Sequence, residues 1–138
     1  MKEKILVSAC LLGINCKYSG GNNYSDEVME FLREYEIIPI CPEQLGGLPT
    51  PRPASEITGN KVMNNEGKDV TINYKNGAEA TLKIAKLLGV KKALLKAKSP
   101  SCGNGTIYDG TFSGILIDGD GITTKLLKEN NIEVITIK

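Results

Sequence analysis

Apolar residues along this chain fall into two patterns. Four short runs are continuous: Ile5 to Ala9, Ile37 to Ile40, Ala93 to Ala97, and Ile132 to Ile137. They are too short for helices, and three of them hold β-branched residues, so they read as strands. Between them apolar positions recur at helical spacing. From about Asp26 to Tyr35, Val28, Phe31, Leu32 and Tyr35 share one face, with Ser25 placed as N-cap. From about Val70 to Leu88, with Asp69 as a cap, Val70, Tyr74, Ala78, Leu82, Ala85 and Leu88 keep the period, and Gly89 stands where a terminating glycine belongs. Gly77 weakens or breaks this helix. A third helix is expected from about Thr123 to Asn130, with Leu126 and Leu127 inward.

Strands that alternate with helices pair in parallel through right-handed crossovers. The expected class is α/β: a small three-layer α/β/α, Rossmann-like parallel sheet of about four strands, in the order 2-1-3-4. No internal repeat, low-complexity tract or linker interrupts it, so residues 1–138 are expected to form a single domain. Segments 41–69 and 99–121 fit neither pattern. Both are long and rich in Gly, Pro, Ser and Asn, and long structured loops in a compact domain usually carry function.

Composition narrows the chemistry. The 138 residues are 41% hydrophobic and 24% charged, with a net charge of +1, which gives no basic excess for nucleic acid or a membrane surface. No apolar run approaches a membrane span, and the N-terminal residues lack a secretory pattern. A cytoplasmic protein with reduced thiols is the expectation. There is no histidine, which removes Ser-His and Cys-His catalysis and His-bound zinc. With no tryptophan, five tyrosines and two phenylalanines, a base-stacking platform is not expected.

The cysteines then stand out. Cys10 and Cys41 each directly follow an expected strand, and Cys102 follows the third by five residues. In a parallel sheet these positions share the carboxyl edge, where open α/β sheets bind ligands. Three converging thiols suggest a metal site, and soft thiolates suit zinc or an iron–sulfur cluster. Structural zinc sites usually show paired Cys-x-x-Cys motifs, and none occurs here. Three isolated ligands better suit a cluster with one exposed iron that binds sulfur or acts as a Lewis acid. The plain alternative is that each cysteine is a small buried hydrophobe. Cys16 is open to several roles: fourth ligand, redox partner, or packing beside the site.

Neighbouring loop residues add candidates. Glu43, two residues after Cys41, is placed for general acid–base work, against the commoner solvated glutamate. Ser99 and Ser101 flank Pro100 and can donate hydrogen bonds to a cluster or substrate, or simply open a turn. Arg52, in a Pro- and Gly-rich loop, either orients a polar substrate or pairs with Glu56. Gly103-Asn104-Gly105 can form a backbone nest for an anion. Lys91, Lys92, Lys96 and Lys98 read as a solvated basic edge.

The stretches Ser8-Ala9-Cys10-Leu11-Leu12-Gly13, Cys41-Pro42-Glu43, Gly46-Gly47-Leu48-Pro49-Thr50-Pro51-Arg52, Gly67-Lys68-Asp69-Val70-Thr71, Ser99-Pro100-Ser101-Cys102-Gly103 and Tyr108-Asp109-Gly110-Thr111-Phe112 resemble, in order, the family catalogued as domain of unknown function 523. That family includes 2-thiouracil desulfidases. The resemblance implies a [4Fe-4S] cluster on Cys10, Cys41 and Cys102, a free fourth iron for a small-molecule thiocarbonyl substrate, and catalytic Glu43 and Ser99. The implied reaction is non-redox hydrolysis. Members often carry an acidic residue where this chain has Ser19, a departure that bears on substrate choice if that loop lines the pocket. Two rivals remain: a cluster-free thiol-redox or persulfide carrier using Cys10 and Cys16, and a noncatalytic zinc module on four cysteines.

Overall fold

The computed structural model describes residues 2–137. Four strands build the central sheet: β1 (Glu3–Ser8), β2 (Tyr35–Ile40), β5 (Lys92–Leu94) and β8 (Glu133–Ile135). All pair in parallel, in the spatial order β2-β1-β5-β8, which is the expected 2-1-3-4 arrangement. Both faces are covered, which is why the strands read as unbroken apolar runs. Ile5, Val7 and Leu94 pack with Val28 and Leu32 from the segment around helix α1 (Asp26–Phe31). Leu6, Ala93 and Leu95 face the other way, against Ala85 of α3 (Thr71–Leu88) and Leu127 of α4 (Ile122–Glu129).

The helices follow the sequence reading with local differences. The Ser25 hydroxyl accepts from Val28 N–H at 3.4 Å, as an N-cap should. Helix α1 stops at Phe31, however. A 3-10 turn follows, and Tyr35 opens β2 opposite Glu3. Tyr35 keeps its contact with Phe31 by stacking at 5.5 Å between ring centroids. Asp69 accepts from Thr71 N–H at 2.9 Å, just ahead of α3. At the other end Gly89 takes a left-handed conformation, φ 69°. Strand β5 ends at Leu94, so Cys102 lies eight residues beyond it rather than five.

The two segments expected to be loops contain hairpins. β3 (Ser55–Thr58) pairs with β4 (Lys61–Asn64) across a Gly59–Asn60 turn. β6 (Thr106–Tyr108) pairs with β7 (Leu116–Asp118). Val62 is fully buried against Val70 and Tyr74, which seats the first hairpin on the start of α3.

Gly77 does not break α3. It lets the short helix α2 (Pro42–Leu45) approach. A Cβ on Gly77 would lie 1.9 Å from Pro42 O, and one on Gly46 would lie 1.9 Å from Asn73 O. Two glycines thus bring α2, which carries Glu43, onto the α3 backbone. In an ordinary helix Gly→Ala stabilises by about 1 kcal/mol. Here the sign should reverse. Gly77→Ala is expected to lower stability by about 1–3 kcal/mol, the cost of overpacking, read from the urea unfolding midpoint.

Candidate active site

Parallel pairing carries the carboxyl ends of β1 and β2 to one edge, with Ser8 beside Ile40. Cys10 follows in a 3-10 turn, and Cys41 leads into α2. The 99–102 turn comes to the same edge. A cavity of about 450 Å³ opens there, and Cys10, Cys16, Cys41 and Cys102 all line it. Cys10, Cys16 and Cys102 are buried, and Cys41 is half-buried. No disulfide joins any of them.

The 99–102 turn is fastened from several sides. Cys102 N–H donates to Ser99 Oγ at 2.7 Å. Ile122 N–H donates to Pro100 O at 2.8 Å, and Thr123 N–H to Ser101 O at 2.9 Å. The Thr124 hydroxyl donates to Cys102 O at 2.8 Å. The first turn of α4 therefore spends its free N–H groups on this turn. Ser101 is buried against Thr123, with hydroxyls 2.9 Å apart, and is not among the cavity-lining residues. Ser99 does line the cavity, and accepting from Cys102 N–H leaves its own proton to donate.

Glu43 lines the cavity with one oxygen engaged. Its Oε1 accepts from Arg52 Nε at 3.1 Å and from the Tyr74 hydroxyl at 2.8 Å. Among the described residues Oε2 accepts no hydrogen bond. Arg52 pairs with Glu43, not with Glu56 as the sequence had suggested. Its guanidinium also donates to Cys16 O at 2.9 Å, Pro49 O at 3.1 Å and Thr50 Oγ1 at 3.0 Å. Glu56 instead accepts from Gly110 and Phe112 N–H, fixing the loop between β6 and β7. Tyr74 is displaced far upward in pKa by burial first, then by Glu43, so it remains a hydrogen-bond donor.

Burial also pushes up the thiols. Cys102 rises to about 12, tempered by hydrogen bonds from Ser8 and Ser101. Cys10 rises for the same reason, opposed chiefly by a hydrogen bond from Asn23. Cys16 rises through burial and the neighbouring Cys41 and Cys10. Thiols of this kind become thiolates when a bound metal supplies positive charge. Among the described residues, no three His, Cys, Asp or Glu side chains are set to grip one metal ion. Three thiols spread around a cavity suit a group whose metals occupy several corners.

Several other expectations change. Lys96 is half-buried on the cavity wall instead of on a solvated edge; Lys98 borders the cavity but is exposed, and Lys92 pairs with Glu3 at 3.4 Å. The amides of Gly103 and Gly105 are already used, by Ser99 O and the Asp120 carboxylate, so the chain supplies its own anion. Ser19 is exposed and off the cavity, although Lys17 and Tyr18 beside it line the wall. Sequence reading missed Ser8, Asn23 and Tyr74 as site residues. Tyr74 had been assigned to the core face of α3 by its periodicity, and nothing in that pattern distinguishes a core tyrosine from one that donates to Glu43.

The chain is 43% identical over 142 residues to the uncharacterized protein YbbK of Bacillus subtilis (strain 168), covering 96% of this chain and 94% of that one. It superposes on the [4Fe-4S]-dependent thiouracil desulfidase TudS (DUF523Vcz) with a TM-score of 0.91 and 44% identity, over 98% of this chain and 91% of the other. No helix among the described residues is long and apolar enough to cross a membrane. The family model for 2-thiouracil desulfurase matches residues 5–138, and the chain belongs to that family.

Proposed function

We propose that this protein holds a [4Fe-4S] cluster on Cys10, Cys41 and Cys102 and removes sulfur from a thiouracil-like thiocarbonyl compound by non-redox hydrolysis. The observation that carries the reading is the meeting of three cysteines from separate strand ends around one cavity that also holds Glu43. The similarity to a [4Fe-4S]-dependent desulfidase supports it. A compartment that keeps thiols reduced, such as the cytoplasm, suits this chemistry.

A cluster held by Cys10, Cys41 and Cys102 would supply Lewis-acid iron toward the substrate's sulfur, polarising the C–S bond. The chain's own groups do the rest. Arg52 and Tyr74 fix the Glu43 carboxylate through Oε1, and the unpartnered Oε2 takes a proton from water as it attacks the thiocarbonyl carbon. Ser99 Oγ, held by Cys102 N–H, donates to the substrate as charge develops. Glu43 returns the proton to the departing sulfur. Thiocarbonyl and water become carbonyl and hydrogen sulfide, with no change of oxidation state. Arg52 has so many protein partners that its role here is to orient Glu43, with direct substrate contact as a lesser part. Cys16, beside Cys41 and Cys10, packs under the ligand loop.

Two experiments test the reading. After anaerobic reconstitution, Cys10→Ser, Cys41→Ser and Cys102→Ser should each lose most iron and acid-labile sulfide, whereas Cys16→Ser keeps most of both. Zinc alone, or no metal with only Cys10 and Cys16 indispensable, would give the site to the rival readings. Glu43→Gln retains an oxygen that accepts from Arg52 and Tyr74. It should therefore load a full cluster with native-like absorbance, while turnover of 2-thiouracil falls about 100- to 10,000-fold. Unchanged turnover would remove Glu43 from the reaction.

A further inference from the structure

The three cysteines around the cavity differ in their hydrogen-bond surroundings. Ser8, the last residue of β1, is 3% exposed. Its hydroxyl accepts from Lys96 N–H at 3.0 Å, so its own hydrogen is directed elsewhere, and Cys102 Sγ lies 3.6 Å away. Asn23 grips Cys10 twice. Its backbone N–H donates to Cys10 O at 2.8 Å, and its Nδ2 donates to Cys10 Sγ at 3.4 Å. Cys41 receives no hydroxyl or amide hydrogen bond among the described residues; its neighbour is Cys16. The Cys41 sulfur faces an acceptor, Cys16 O, at 3.8 Å, and Arg52 already donates to that same carbonyl at 2.9 Å.

We propose that Ser8 and Asn23 are positioning donors for the cluster-bound sulfurs of Cys102 and Cys10, and that they raise the cluster's reduction potential and slow its loss. This rests on the cluster reading above and adds to it residues that touch ligands, not substrate. A thiolate sealed from water is costly unless something donates to it. Ser8 and Asn23 supply that donation in place, without reorganisation. A donor also withdraws charge from the sulfur. The reduced cluster carries one more negative charge than the oxidised form and gains more from the donor, so the potential rises.

The test uses reconstituted full-length protein, with iron and sulfide analysis, reductive titration followed by electron paramagnetic resonance, and the rate of absorbance loss in air. Ser8→Ala also strands the Lys96 N–H, so the Asn23 variants carry the test free of that change. Asn23→Leu keeps the shape and removes the donor; Asn23→Ala removes both. Both should load the cluster, titrate at a more negative potential than wild type, and bleach several-fold faster. Ser8→Ala should shift the potential in the same direction, and the double variant should shift it further. Loss of iron from Asn23→Leu with a native circular dichroism spectrum would equally support an anchoring donor. Fully loaded Asn23→Leu and Ser8→Ala proteins with wild-type potential and bleaching rate would overturn the proposal. So would wild-type behaviour of Asn23→Leu beside a defective Asn23→Ala, which would mean that shape alone matters. Wild-type protein that takes up no iron would overturn the cluster reading itself, and this inference with it.

Discussion

A guanidinium sealed inside a protein must be surrounded by acceptors, and the site is organised around that requirement. Arg52 has a side chain only 3% exposed, and four oxygens converge on it: one carboxylate, two carbonyls and one hydroxyl. Leaving such a charge without partners costs about 3–5 kcal/mol when one member of a buried pair is removed. The partners come from separate segments. Glu43 lies on α2, Cys16 in the loop after β1, and Pro49 and Thr50 in the turn just before Arg52. Satisfying one side chain therefore draws the loop that carries Cys16 against the helix that carries Glu43, and Cys41 lies between them. The planar fork of Arg52 sets directions as well as distances, which a lysine could not do.

A second constraint acts from behind. Helix α2 has only four residues and little surface of its own to bury. It is held by close backbone approach to α3 at Gly46 and Gly77, where no side chain fits. Tyr74, one turn before Gly77 on α3, reaches Glu43 from that side. The carboxylate is thus held by Arg52 and by Tyr74 through the same oxygen. The other oxygen accepts no hydrogen bond among the described residues, and a group with one committed and one free oxygen can move a proton without losing its orientation.

The sheet was legible because its strands are buried on both faces. Ile5, Leu6 and Val7 point alternately to two packed layers, so nothing polar interrupts the run. The meeting of Cys10 and Cys41 followed from strand ends and parallel pairing, whereas Cys102 reaches the same edge on a turn that α4 fastens. The hairpins were harder. Ser55–Thr58 and Lys61–Asn64 bury few apolar side chains, though the Gly59–Asn60 pair between them was a usable turn signal. Leu116–Asp118 is exposed throughout, so no burial pattern marks it as a strand. The partners of Arg52 could not be read either. Glu56 lies nearer to Arg52 along the chain than Glu43 does, and only the folded path decides that Glu56 turns to the amides of Gly110 and Phe112. Asn23 and Ser8 carry no spacing signal, because their roles depend on where two sulfurs end up.

The cysteines that share one cavity are spread from position 10 to position 102, and the turn that carries the last of them is fastened by α4, which starts at Ile122. During synthesis this pocket therefore cannot close until almost the whole chain has left the ribosome. Until then, Cys10 and Cys41 belong to an unfinished sheet edge with no third partner. Loading all three thiols therefore waits on the residues through the start of α4, and a truncation before Ile122 would unfasten the turn that carries Cys102.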